Sequence, residues 1–140
     1  MTRLLVLVAL LAIAGCGGGS AVSNLGTVVS GAKGSTVQVQ VGKGQRFSLA
    51  VQDNPSVGDS WELVALPDAK VAAFISKERR AESDAPGSGG TAYFVFNAKR
   101  PGVTQVRLFN CWRCGASRTP ADETSRQNSG EAIFEITVTD

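Results

Sequence analysis

From residue 36 onward apolar side chains recur with a period of two, and this alternation restricts the fold more than any other feature of the chain. Val37, Val39 and Val41 alternate with Gln38 and Gln40, and Phe47, Leu49 and Val51 alternate with Ser48 and Ala50. A period of two sends successive side chains to opposite faces of an extended backbone, so each run predicts a strand with one buried face. Further runs rich in Val, Ile, Thr and aromatic residues cover residues 61–66, 71–76, 92–97, 103–110 and 131–138. No segment carries a convincing helical period. Between the runs lie Gly42-Lys43-Gly44, Asn54-Pro55, Pro67-Asp68, Pro86-Gly87 and Pro101-Gly102, all turn formers. About seven short strands parted by turns predict an all-β fold, an immunoglobulin-like antiparallel β-sandwich.

The N-terminus reads as targeting rather than fold. Met1-Thr2-Arg3 precedes an apolar run over residues 4–14 and then Gly15-Cys16, the order of a basic region, a hydrophobic region and small residues at a cleavage site. Eleven apolar residues fall short of the roughly 20 that cross a bilayer as a helix. The run Leu11-Ala12-Ile13-Ala14-Gly15-Cys16 resembles the bacterial lipobox. That resemblance implies cleavage before Cys16, lipidation of its thiol and an acyl anchor on a membrane surface. Ten of the nineteen residues that follow Cys16, up to Ser35, are Gly or Ser, a composition that behaves as a flexible tether. The expected organisation is a signal peptide over residues 1–15, lipidated Cys16 and tether over 16–35, and a folded domain over 36–140. Such a protein belongs in the cell envelope, lipid-anchored on the extracytoplasmic side.

About 105 residues then remain to fold, enough for one core that buries roughly 65% of the unfolded surface and too few for two domains. Charge argues against one class of partner. The 14 Lys and Arg residues stand against 12 Asp and Glu, and without Arg3 of the leader the balance is 13 to 12. No basic face follows a phosphate backbone from such a balance, so nucleic acid is not expected as a partner. The chain has no histidine, which removes the usual general base at neutral pH and the commonest metal ligand. An enzyme is not expected, nor a metal or other cofactor, and the folded unit is expected to be a monomer.

Three loop motifs remain unexplained by strand formation. The first is Asn54-Pro55-Ser56-Val57-Gly58-Asp59-Ser60-Trp61. Proline fixes its own φ and restricts Asn54, and Gly58 permits a positive φ, so the loop is partly shaped before any partner arrives. The same pattern also suits a plain turn, with Trp61 in the core. The second motif is Pro86-Gly87-Ser88-Gly89-Gly90-Thr91, before the aromatic strand Tyr93-Phe94-Val95-Phe96. Its glycines admit close approach of a partner backbone or leave a floppy loop. A phosphate cradle is excluded, because no strand-to-helix transition or Lys-Ser/Thr pair follows. The third is Phe109-Asn110-Cys111-Trp112-Arg113-Cys114, where a loop tryptophan is a candidate interface anchor.

Three such motifs in this order, each beside a predicted strand, resemble the chagasin-like family of cysteine protease inhibitors. That family carries an Asn-Pro-Thr-Thr-Gly-aromatic loop, a Gly-x-Gly-Gly loop and an Arg-Pro-Trp loop. Here the first is matched by Asn54, Pro55 and Gly58 with Trp61 downstream, the second by Gly87, Gly89 and Gly90, and the third by Trp112 alone. The resemblance implies an immunoglobulin-like sandwich whose loops wedge into the cleft of a papain-like cysteine protease. By carry-over, Asn54, Pro55, Ser56, Val57 and Gly58 would cover the catalytic cysteine of the target, and Gly87, Gly89, Gly90, Trp112 and Arg113 would grip the cleft walls. Two departures stand out: Asn110-Cys111 occupies the place of Arg-Pro, and Asp59 that of the aromatic residue. The connection after Cys114 is also longer than the family's, and its polar half, residues 118–130, is assigned to solvent without secondary structure.

With Cys16 lipidated, Cys111 and Cys114 are left in an oxidising compartment, where a local disulfide is expected. It would stand in for the missing proline and turn Trp112 and Arg113 outward. A redox enzyme is the competing use of Cys-x-x-Cys, but that motif works at a helix N-terminus in an α/β fold, which this chain does not offer. Zinc would need more ligands than two cysteines. The alternative from a different functional class is a surface-anchored protein-binding or adhesion module without inhibitory activity.

Overall fold

The computed structural model describes residues 24–140. The expected signal peptide and the expected lipidation at Cys16 lie outside the described residues. Eight strands form two four-stranded sheets: β1 (Thr27–Ser30), β2 (Thr36–Gly42), β3 (Arg46–Asp53), β4 (Trp61–Ala65), β5 (Ala72–Ala81), β6 (Gly90–Ala98), β7 (Gly102–Asn110) and β8 (Gly130–Thr139). One sheet runs β1-β3-β6-β5 and the other β2-β8-β7-β4. The expected sandwich is present.

The alternating residues build its core. Phe47, Leu49 and Val51 of β3, with Phe94 and Phe96 of β6, share one cluster with Val106 and Leu108 of β7 and Phe134 and Ile136 of β8. Phe47 stacks on Phe96 at 5.4 Å between ring centroids, and Phe74 meets Phe96 edge-on. Each such side chain contributes about 1.5–3 kcal/mol by leaving water. Trp61 is buried among them, and its Nε1 donates to the Gln52 carbonyl at 2.8 Å, so the indole closes the core without an unpaired donor.

Four expectations need correction. The sheets are mixed, because β1 pairs with β3 and β2 with β8 in parallel. A strand also starts inside the stretch assigned to the tether: the β-branched residues Thr27, Val28 and Val29 add to the edge of β3. Just before it Leu25 is buried, and its carbonyl accepts the Ser48 hydroxyl at 2.6 Å, which is why Ser48 on the outer face of β3 is also buried. Third, β5 continues through Lys77 to Ala81, so the gap of residues 77–91 left between two of the sequence runs shrinks to a connection of residues 82–89. Long cationic side chains hold this extension by lying on aromatic neighbours of β6, Lys77 over Phe94 and Arg80 over Tyr93, each at 5.5 Å. Fourth, residues 118–130 contain a helix, α1 (Glu123–Asn128), and one of its residues, Ser125, is buried.

Candidate functional site

Three connections leave the sandwich at one end, and strand register puts them there. Asp53 of β3 pairs with Gly90 of β6, and Gly90 with Ala81 of β5. In the other sheet Trp61 of β4 pairs with Asn110 of β7, and Asn110 with Gly130 of β8. Residues 54–60, 82–89 and 111–129 therefore rise from a common rim.

The first connection is closed on itself. Asn54 and Asp59 exchange both backbone hydrogen bonds, at 3.0 and 3.1 Å, and a short 3-10 turn, Pro55–Val57, fills the space between. Proline at the first position of that turn loses no hydrogen bond and enters with φ already set. Gly58 ends it at φ 81°, a left-handed angle that a residue with a Cβ adopts only at a cost. The Asn54 side chain ties the turn down, accepting the Ser56 hydroxyl and donating to the Gly87 carbonyl at 3.2 Å. Val57 is left half exposed at the tip.

That Asn54–Gly87 bond joins the first connection to the second. Gly87 sits at its exposed turn with φ 77°. Gly89 lies against the Asp53 carbonyl, where a Cβ would stand 3.5 Å away. Gly90 has a different role from the one the motif suggests: it is the buried first residue of β6, and a Cβ there would come within 2.5 Å of the Arg80 carbonyl. Sheet packing, not a partner, requires that glycine. Below these loops Arg79 Nε meets the buried carboxylate of Asp53 at 3.0 Å, so the junction of β3, β5 and β6 carries a paired charge.

The third connection joins the first along its other flank. The Arg113 N–H donates to the Gly58 carbonyl at 2.9 Å and the Cys111 N–H to the Ser60 carbonyl at 3.2 Å. Cys111 and Cys114 form the expected disulfide. Within it Trp112 is partly buried and Arg113 exposed, with the guanidinium 4.4 Å above the centre of the indole ring and φ of 52° at Arg113. A groove of about 420 Å³ opens between the flanks, with Gly58, Leu63, Phe109 and the disulfide among its lining and Arg118 paired to Glu62 at 2.6 Å beside it.

Both departures from the family pattern are turned inward. Asn110 is fully buried and its amide donates to the Asp59 carboxylate, which also lies 3.5 Å from Lys33 Nζ. Asp59 is therefore an internal link between connections rather than a free charge. Lys33, in the turn between β1 and β2, reaches the same rim and donates to the Asn128 carbonyl at 2.7 Å. Sequence reasoning missed it because that turn was assigned to the tether. At the start of β8, the hydrogen bond from Arg107, with Nη2 at 2.8 Å, holds the Glu131 carboxyl below its ordinary value. Among the described residues no group of three or more His, Cys, Asp or Glu side chains converges as metal ligands would.

The sequence matches the Chagasin family peptidase inhibitor I42 over residues 40–126. No curated protein matches the chain. Among solved structures, Amebosin superposes with a TM-score of 0.55 at 20% identity, covering 81% of this chain and 98% of the other. The cysteine protease inhibitor EhICP2 from Entamoeba histolytica gives 0.52 at 11% identity, with coverages of 81% and 96%. PbICP-C, in a structure of its complex with falcipain-2, gives 0.55 at 12%, with coverages of 81% and 100%. At these identities the three likenesses establish a shared fold.

Proposed function

The chain belongs to the chagasin family of peptidase inhibitors, and from that premise we propose that it is a reversible inhibitor of papain-like cysteine proteases. The observation that carries the reading is the joining of three loops through Asn54 to Gly87 and Gly58 to Arg113. Hydrogen bonding at both flanks means that little freedom is left to lose on association, the condition under which a rigid loop binds tightly. A structure of PbICP-C with falcipain-2 supports a papain-like partner.

In this reading the turn of Asn54, Pro55, Ser56, Val57 and Gly58 enters the target cleft over its catalytic cysteine, while Gly87 and Gly89 on one side and Trp112 and Arg113 on the other meet the walls. Attack on a peptide requires the reacting atoms to be held about 3–3.5 Å apart in good alignment. A turn closed by the Asn54–Asp59 pair would fill the cleft as a stiff plug rather than as an extended peptide laid across it in that alignment. Blocking is then a matter of shape, and the inhibitor needs no catalytic group. Lipidation at Cys16 would hold the domain at the membrane surface of the cell envelope, and Cys16→Ala should release it to the soluble fraction.

The test is titration of papain activity with the full chain, beside a Gly58→Glu control. Tight inhibition that the control loses supports the wedge. Absence of inhibition at micromolar concentration, with the fold intact by circular dichroism, would instead favour a surface-anchored binding or adhesion module.

A further inference from the structure

We propose that the long connection between Cys114 and β8 is a brace for Trp112, and that Ser125 is its main positioning residue. The proposal rests on the inhibitory reading above and deepens it, by identifying what holds one of its wall contacts in place.

No proline stands beside Trp112 to fix the backbone there. Both of its backbone polar groups are instead held by hydroxyls from α1 and its C-cap. The Trp112 N–H donates to Ser129 Oγ at 2.9 Å, and the Ser125 hydroxyl donates to the Trp112 carbonyl at 2.6 Å. Ser129 Oγ in turn donates to the Ser125 carbonyl at 2.7 Å, and Asp122 caps the helix by accepting the Ser125 N–H at 2.8 Å. The four groups form one continuous chain that runs from the helix cap to the tryptophan.

The helix has no other evident purpose in packing. It is six residues long, and Ser125 is its only buried residue. A helix that short is unstable alone in water and draws its stability from what it is tied to. Most helical proteins use an apolar stripe for that tie, whereas α1 uses a serine that is 2% exposed and turned toward another segment. A helical serine ordinarily bonds back to its own preceding turn. Here the hydroxyl serves Trp112.

A second tie extends the brace to the first connection. Lys33 Nζ donates to the Asn128 carbonyl at the end of α1 and lies 3.5 Å from the Asp59 carboxylate. Trp112 is thereby tied to the Asn54–Gly58 turn through α1 and Lys33 as well as through the disulfide loop, whose Cys114 Sγ lies 3.7 Å from Ser125 Oγ. Tying the two together raises the fraction of molecules able to bind both cleft walls at once, and the apparent affinity scales with that fraction.

The experiment is a double-mutant cycle on papain inhibition with the unaltered chain, Ser125→Ala, Trp112→Ala and the double variant. The brace predicts that Ser125→Ala weakens inhibition roughly three- to tenfold, in line with the loss of one well-placed hydrogen bond. The same change should cost less than about twofold once Trp112 is alanine, because its effect passes through that side chain. An equal effect in both backgrounds overturns the proposal, as does a Ser125→Thr variant that keeps the hydroxyl yet behaves like Ser125→Ala. A readout free of inhibition uses 5-fluorotryptophan. The two tryptophans lie in different surroundings, Trp61 buried and Trp112 partly exposed, and should give separate fluorine resonances, of which that of Trp112 should shift in Ser125→Ala while that of Trp61 stays. An unmoved Trp112 resonance also overturns the brace. If the unaltered chain fails to inhibit, the inhibitory reading falls and the fluorine spectrum alone decides on the brace.

Discussion

Replacing Gly58 by alanine tests the idea that the first turn is preset for its partner. Gly58 holds φ of 81°, where a Cβ costs about 1–2 kcal/mol in a right-handed-preferring residue. The added carbon would also stand 3.0 Å from Arg113 Cγ and 3.3 Å from Arg113 Cα, tight against the flank that carries Trp112. In the free variant the turn escapes this strain by leaving its left-handed conformation. Binding then has to restore it, so the same 1–2 kcal/mol reappears as a loss of affinity of roughly five- to thirtyfold. Gly58→Asn should lose less, because asparagine tolerates the left-handed region. The assay is the inhibition constant against papain, with thermal unfolding in parallel to show that the sandwich survives. A Gly58→Ala constant within about twofold of the unaltered chain would refute the reasoning, since the turn would then be free to adapt.

Trp112→Ala removes the candidate anchor and should weaken inhibition by at least about 1–2 kcal/mol, with unfolding nearly unchanged; an unaltered constant removes Trp112 from the interface. Arg79→Met strips the partner from the buried Asp53 carboxylate, and urea denaturation should register a destabilisation of about 3 kcal/mol. Glu131 titrates below its ordinary value of 4.5 in the folded chain because Arg107 hydrogen-bonds to it. Its contribution is therefore present above that value and lost as pH falls through the lower folded one, so Glu131→Gln should flatten the decline in stability as pH falls below 4.5. A decline as steep as that of the unaltered chain would show that other carboxylates dominate.

How far the fold was legible follows from the period-two signal. Phe47, Leu49 and Val51 announce β3 and the same alternation gives β2, because a strand with one buried face must write its burial into alternate residues, whereas β6, β7 and β8 show as runs rich in Val, Ile, Thr and aromatic residues. β1 escaped because Thr27, Val28 and Val29 are embedded among glycines and serines, and four edge residues are too few to display a period. α1 escaped because its tie is a pair of hydroxyls rather than an apolar stripe, although Asp122 with Glu123 behind it is a helix-start signal. In the site, Gly58 was legible from its place after Asn-Pro. Gly90 looked the same in sequence as Gly87 and proved to be a packing residue, a distinction that only the neighbouring Arg80 carbonyl makes.

The two departures from the family pattern acquire a common cause once the loops are seen together. Asp59 replaces an aromatic residue and Asn110 an arginine, and considered singly each subtracts from an interface. Yet the Asn110 amide donates to the Asp59 carboxylate, so the two positions form one contact between the first and third connections. Either change alone would leave a polar group without its partner near the rim, a loss that outweighs what a matched pair contributes. The pair therefore behaves as a unit. Reverting Asp59 alone strands the buried Asn110 amide and leaves Lys33 with only its bond to Asn128. The cation that the arginine would supply is present one residue after the tryptophan rather than two before it, as Arg113 lying on the indole face. Loop geometry in this chain is thus set by internal polar links and a disulfide, which leave Pro55, Ser56, Val57, Gly87 and Arg113 exposed and Trp112 partly so.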